Sequence, residues 1–184
     1  MDFNKHSAIA GTHSFLSASN YHWVNYDDEK LVNTFLRHKA AARGTQLHNF
    51  ASDAIRLGIK LPRTPLTLNM YVNDCLGFQM VPEQVLYYSP NCFGTADAIG
   101  FKGKTLRISD LKTGVSPTSI KQLEVYAAMF CLEYGHKPSE LIIVLRIYKD
   151  NDVVEHIPDA EVIAHIMDRI VHFDKLINEI RELA

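Results

Sequence analysis

Cysteine is scarce in this chain: Cys75, Cys92 and Cys131 are its three, far apart and without a C-x-x-C pair among them. An odd, scattered set suits buried thiols in a reducing cytoplasm, and it argues against a four-cysteine zinc or iron–sulfur site. Long hydrophobic runs are missing as well. No apolar stretch approaches the length of a membrane span, so no membrane partner is expected. The first residues, Met-Asp-Phe-Asn-Lys-His, lack a basic region followed by an apolar one, so no signal peptide is expected. Repeats, low-complexity stretches and long charge runs are absent. So is any large excess of charge. The formal net charge is -2, and this balance by itself favours no polyanionic partner, although an acidic site would offset basic residues elsewhere.

What is present is the material of an ordinary globular fold. The chain has 184 residues, 47% hydrophobic and 22% charged, which suits one domain over 1–184 around a sizeable core. Its first part, 1–80, reads as mainly helical, and 81–184 reads as a sheet core with a closing helix. Residues 1–27 are irregular. Ser17 and Ser19 are placed to cap a turn or short helix, and Trp23 and Tyr26 suggest that this arm packs down. The apolar spacing predicts helices over 28–41, with Leu31, Val32, Phe35 and Leu36 on one stripe, and over 45–58, with Gly44 interrupting between them. A third helix is expected over 66–77, after the Pro62–Pro65 loop.

Strands follow. Gln84–Tyr88, Phe93–Phe101 and Lys104–Lys112 read as three strands, the last two joined by a turn at Lys102-Gly103. A helix is expected over 118–134. Leu141–Tyr148 is nearly all apolar, the mark of a strand covered on both faces. Val153–Ile157 reads as a short edge strand. An amphipathic helix over 159–182 carries Val162, Ile163, Ile166, Ile170, Phe173, Ile177 and Ile180. The expected fold class is α/β, a mixed central sheet flanked by helices.

The hairpin carries a chemical consequence. A turn at Lys102-Gly103 pairs Phe101 with Lys104 and sets Asp97 opposite Ile108. Strict alternation then puts Asp97 and Asp110 on one face as diagonal neighbours, roughly 7–8 Å apart at the backbone. Phe93, Ile99, Phe101, Leu106 and Ile108 would share that face, with Gly94, Ala96, Ala98 and Gly100 on the other. Burying Asp97, Asp110 and Lys112 together without partners would cost several kcal/mol each, on the order given for unpaired charges. A divalent cation would supply the partner. An Asp-x-Lys tripeptide alone reads as a structural salt bridge; its setting changes that.

Gly94-Thr95-Ala96-Asp97, then Asp110-Leu111-Lys112-Thr113-Gly114, then Gln122-Leu123-Glu124-Val125-Tyr126 resembles the signature of RecB-like nucleases in the PD-(D/E)xK superfamily. That superfamily also holds lambda-type phage exonucleases and CRISPR-adaptation nucleases. Gly44-Thr45-Gln46-Leu47-His48 resembles the upstream family motif whose helical His joins the metal site. The wider wording, Phe-Gly-Thr-Ala-Asp and Asp-Leu-Lys-Thr-Gly, resembles phage-encoded members. The resemblance implies a restriction-endonuclease-like core. Asp97 and Asp110 would ligate Mg²⁺ or Mn²⁺, with the Leu111 carbonyl and His48 as further ligands, and the imidazole would lean the site toward Mn²⁺. Lys112 would orient the attacking water and offset phosphate charge. Gln122 and Tyr126, at i and i+4 on one helix face, would contact DNA phosphate or Lys112. Several relatives carry an iron–sulfur cluster with a cysteine trio near the C-terminus; the C-terminal helix here has no Cys, so no cluster is expected.

Other readings accompany these. An inward His48 alone reads as a core histidine, and Gln122 with Tyr126 reads equally as a buried hydrogen-bonded pair. Glu83 offers a further carboxylate or is a surface residue after Pro82. Arg43, Arg107 and Lys121 are phosphate contacts or ordinary solvated charges. The expected function is a metal-dependent DNA nuclease, foremost an exonuclease acting on single- or double-stranded DNA in phage recombination, repair or degradation. A structure-specific endonuclease and a catalytically silent DNA-binding protein are the alternatives. A near-minimal domain suggests a homo-oligomer or a recombination partner, in the cytoplasm of the host cell.

Overall fold

The computed structural model describes residues 7–9, 11–114 and 119–183. Where the sequence reads as one domain over 1–184, the chain divides by spatial clustering into two compact units, Met1–Arg43 and Gly44–Ala184. In the first unit, a 3₁₀ segment (Ala18–Asn25) is capped by Ser17, whose Oγ accepts the Asn20 N–H at 3.3 Å. The Trp23 indole donates to the Ser17 carbonyl at 3.0 Å, a bond within the arm itself. Asp27 accepts the Lys30 N–H at 2.7 Å and opens helix α1 (Asp28–Arg56). Phe15 packs edge-on against Phe35. Val32, Phe35 and Leu36, of the apolar stripe, are exposed.

The expected break at Gly44 does not occur. Helix α1 runs through it, so the separate helices over 28–41 and 45–58 are one. A Cβ at Gly44 would stand 2.8 Å from Thr113 Oγ1. The glycine serves close approach of a neighbouring segment, not interruption.

In the second unit, α2 (Thr67–Gly77) leads to a five-stranded sheet in the order β1 (Val81–Ser89), β2 (Cys92–Lys102), β3 (Thr105–Leu111), β4 (Ile142–Lys149), β5 (Asp152–His156). Only the β3–β4 pair is parallel. Parallel neighbours need a crossover, and α3 (Lys121–Tyr134) supplies it. The expected helix start at Thr118 lies outside the described residues. Helix α4 (Ala160–Leu183) closes the unit. The α/β class with a mixed sheet between helices is therefore the observed one.

Two cores sandwich the sheet. Leu106, Ile108, Ile143, Leu145 and Ile147 pack with Leu123, Ala127 and Phe130 of α3 and Ile163 of α4. On the other face, Leu111 and Tyr148 pack with Tyr71, Val72 and Cys75 of α2 and with Ala51, Ala54 and Ile55 of α1. The apolar run of β4 is covered on both faces, as its composition implied. The later part of α4 differs: Phe173, Ile177 and Ile180 are exposed.

The hairpin turn falls one residue later than expected. Lys102 pairs with Thr105 and Ile99 with Ile108, so Gly103 and Lys104 make the turn, with Gly103 at φ +63°. The register moves by two positions, which preserves the parity of β2 against β3. The ladder's last recorded pair is Ala98 with Ser109; Asp97 and Asp110 stand one step beyond, facing each other across the strands and not diagonally.

Strict alternation along β2 fails, however. Ala96 belongs to the core under α3, whereas Ala98 belongs to the core under α2. A Cβ on Gly94 would meet the Tyr126 ring at 3.1 Å, yet one on Gly100 would meet Met80 at 3.1 Å. Even-numbered residues thus change face between 96 and 98, and Phe93 lies exposed, not in the core with Ile99. The change is matched on β1. Gln84 pairs with Ala96 and Pro82 with Ala98, while Glu83, between them, has φ +52°. A non-glycine residue there costs about 1–3 kcal/mol.

Among the described residues no helix is long and apolar enough to cross a membrane.

The Gly44 contact yields a stability test. Gly→Ala inside a helix ordinarily stabilises by about 0.5–1 kcal/mol. Gly44→Ala alone is expected to lose that gain, because Thr113 must move. Gly44→Ala combined with Thr113→Ala is expected to recover it. Urea unfolding midpoints of the two single variants and the pair measure the coupling.

Candidate metal centre

The face change at Asp97 frees its carboxylate from both cores. Oδ2 accepts the Leu111 N–H at 2.9 Å and lies 3.4 Å from His48 Nδ1. His48 reaches this point because Ala51 and Ile55, one and two turns along α1, are buried against the sheet. Asp110 comes from the adjoining end of β3 and is buried, its side chain 6% exposed. Lys112 follows one residue beyond the strand. Its N–H donates to the Tyr148 carbonyl at 2.9 Å, which extends the parallel pairing and fixes where its side chain departs.

These residues line one cleft of about 330 Å³: His48, Asp97, Asp110, Leu111, Lys112, Thr113, Gly114 and Gln122. The Lys112 ammonium donates to Asp110 Oδ1 at 3.0 Å and to Gln122 Oε1 at 3.3 Å. The Gln122 amide turns its Nε2 toward the Tyr126 hydroxyl at 3.5 Å, and that hydroxyl donates to the Thr95 carbonyl at 2.7 Å. A polar chain thus runs from Asp110 to the backbone of β2. Tyr126 is in that chain but not in the cleft wall.

Burial raises the carboxyls of both Asp97 and Asp110 above the ordinary aspartate range. For Asp97 the Leu111 N–H and His48 act in the opposite sense. For Asp110 the nearby Asp97 charge raises it further, and Lys112 opposes. Asp110 Oδ2 lies 2.9 Å from the Lys112 ammonium but receives no aligned hydrogen bond. Two desolvated carboxylates beside an imidazole form a donor set that fits a hard or borderline divalent cation.

Glu83 joins this neighbourhood, although it does not line the cleft. Its carboxylate, His48 and Asp97 offer three ligand atoms within 4.8 Å of one another. The sequence left it open between a further carboxylate and a surface residue after Pro82, since its approach depends on the backbone turn at φ +52°. Thr113 and Gly114 were visible only as the end of the Asp110–Gly114 motif. Two of the candidate phosphate contacts are engaged otherwise: Arg107 lies over the Phe78 ring at 4.6 Å, and Lys121 pairs with Glu124 at 2.6 Å.

No protein-family model, curated protein or solved structure matches this chain.

The raised carboxyl pKa values give a signed pH dependence. A carboxyl raised in the fold contributes stability below its unfolded pKa and loses that contribution as pH rises through the folded value. Cation binding requires the ionised form, so it opposes that loss. The rise in melting temperature on adding Mn²⁺ to EDTA-treated protein is expected to be larger at pH 7.5 than at pH 5. Thermal melts at both pH values read it, and an equal rise at both would contradict cation binding by these carboxylates.

Proposed function

We propose that the chain is a divalent-metal-dependent nuclease that hydrolyses phosphodiester bonds of DNA, working as an exonuclease of the RecB-like PD-(D/E)xK kind. The observation that carries this reading is the convergence of Asp97, Asp110 and Lys112 in one cleft, with Gln122 against the lysine. The resemblance of their motifs to that superfamily supports it.

Asp97, Asp110, the Leu111 carbonyl and His48 would hold Mg²⁺ or Mn²⁺. When bound, the ion supplies an acidified water and positive charge for the phosphoryl oxygens. The protein's own residues do the rest. The Leu111 N–H fixes one oxygen of Asp97, so that carboxylate is oriented before any ligand arrives. Lys112 is held between Asp110 and Gln122, where its charge would offset that of a scissile phosphate and its N–H groups would orient a water. Gln122 prevents the ammonium from swinging away, and Tyr126 anchors Gln122 to β2. The substrate, a phosphodiester of either strand form, enters beside Lys112, Thr113 and Gly114. The site of action is the cytoplasm of a phage-infected cell.

End-labelled single- and double-stranded DNA tests the proposal directly. Cleavage is expected with Mg²⁺ or Mn²⁺ and none with EDTA. Lys112→Ala is expected to slow it by roughly 10²–10⁴-fold, the range for a positioned proton-handling group, and Asp110→Ala to abolish it. Cleavage that survives EDTA sinks the metal mechanism. A covalently closed circle is expected to resist, and its cleavage would redirect the reading to an endonuclease.

A further inference from the structure

We propose that Glu83 is a direct ligand in a cation position at the rim of the cleft, shared with His48 and Asp97 and taking Mn²⁺. This deepens the nuclease reading but does not depend on it.

Three elements converge on the position: α1 brings His48, β1 brings Glu83 and β2 brings Asp97. Their ligand atoms lie within 4.8 Å of one another. Metal–oxygen bonds of roughly 2.0–2.6 Å limit two donors on one ion to about 4–5 Å apart, so the three need only small side-chain rotations to share one. The mixture of imidazole and carboxylate is a borderline donor set, which suits Mn²⁺ better than a purely oxygen-seeking ion.

Charge supports the same assignment. Glu83, Asp97 and Asp110 are three carboxylates, and Lys112 is the single ammonium paired among them. Carboxylates outnumber the ammonium there, and a divalent cation would offset the excess. Glu83 itself makes no hydrogen bond or ion pair among the described residues, whereas Asp110 is engaged by Lys112.

The backbone points the same way. Glu83 occupies a left-handed conformation that glycine would adopt without penalty. A glutamate kept there orders its carboxylate beside Asp97 at a cost in stability.

The test is Mn²⁺ titration of the full chain by calorimetry, after EDTA treatment and dialysis. It compares wild type with Glu83→Gln, which keeps size and removes the charge, and with Glu83→Gly. Wild type is expected to bind Mn²⁺. Glu83→Gln is expected to weaken binding at least about tenfold, the lower end of what losing even an outer-shell partner costs a metal site. Glu83→Gly is expected to weaken it similarly while melting higher than wild type in EDTA. Absence of Mn²⁺ binding by wild type, or a Glu83→Gln affinity within twofold of wild type, overturns the proposal. DNA digestion is run in parallel. Cleavage by wild type together with an unchanged Glu83→Gln affinity removes Glu83 and leaves the nuclease. Loss of Mn²⁺ in Glu83→Gln with no cleavage by wild type removes the nuclease and leaves the cation position.

Discussion

At the point where the β2–β3 ladder ends, Asp97 takes the Leu111 N–H in place of another backbone partner. The rest of the cleft depends on that substitution of side chain for main chain. It satisfies a backbone donor that would otherwise be buried and unpaired. It also holds one carboxylate where the strand has turned over, so that Asp97 belongs to neither core and faces His48. Asp110 and Lys112, two residues apart around the same Leu111, are placed by the same junction. The charges are then arranged by connection: ammonium between Asp110 and Gln122, Gln122 against Tyr126, Tyr126 on the Thr95 carbonyl.

The elements were legible in the sequence where one physical signal dominated. The apolar run of β4 announced burial on both faces. His48 was legible through its motif on the later part of α1, where Ala51, Ala54 and Ile55 pack against the sheet. Asp97 and Asp110 were brought together from a turn displaced by one residue, since a shift of two in register preserves parity. What failed were inferences that a local rule could not decide. Gly44 is a breaker by propensity, but tertiary packing against Thr113 accounts for it. Alternation along β2 assumes a regular strand, and the face change at Asp97 with its partner distortion at Glu83 is a pairwise event between strands. Glu83, readable as a further carboxylate or a surface residue, therefore could not be assigned from the sequence. Arg107 and Lys121 were ambiguous as charges on a sequence, and their partners, Phe78 and Glu124, lie on other turns and elements.

Polar side chains away from the cleft have a different use. Arg146, on the α2 side of β4, pairs with Asp74 and Glu155 and lies over Phe78. Asp74 also accepts from the Tyr148 hydroxyl at 2.7 Å. These bonds tie α2 and β5 to the strand whose carbonyl receives Lys112, and burial raises the Tyr148 hydroxyl's pKa well beyond the ordinary range, so it remains a donor. The cleft's lysine thus rests on a strand clamped from both sides.

That single parallel pair, β3 with β4, has a consequence in time. Every residue of the cleft lies between His48 and Gln122, so all of them have been synthesised before β4 begins at Ile142. Yet Lys112 is positioned by Tyr148, and parallel strands meet only after the intervening crossover has folded back, a slow, non-local closure. A chain still emerging from the ribosome carries the whole set of charged groups without the geometry that unites them. The order of synthesis delays assembly of the cleft until most of the protein is made.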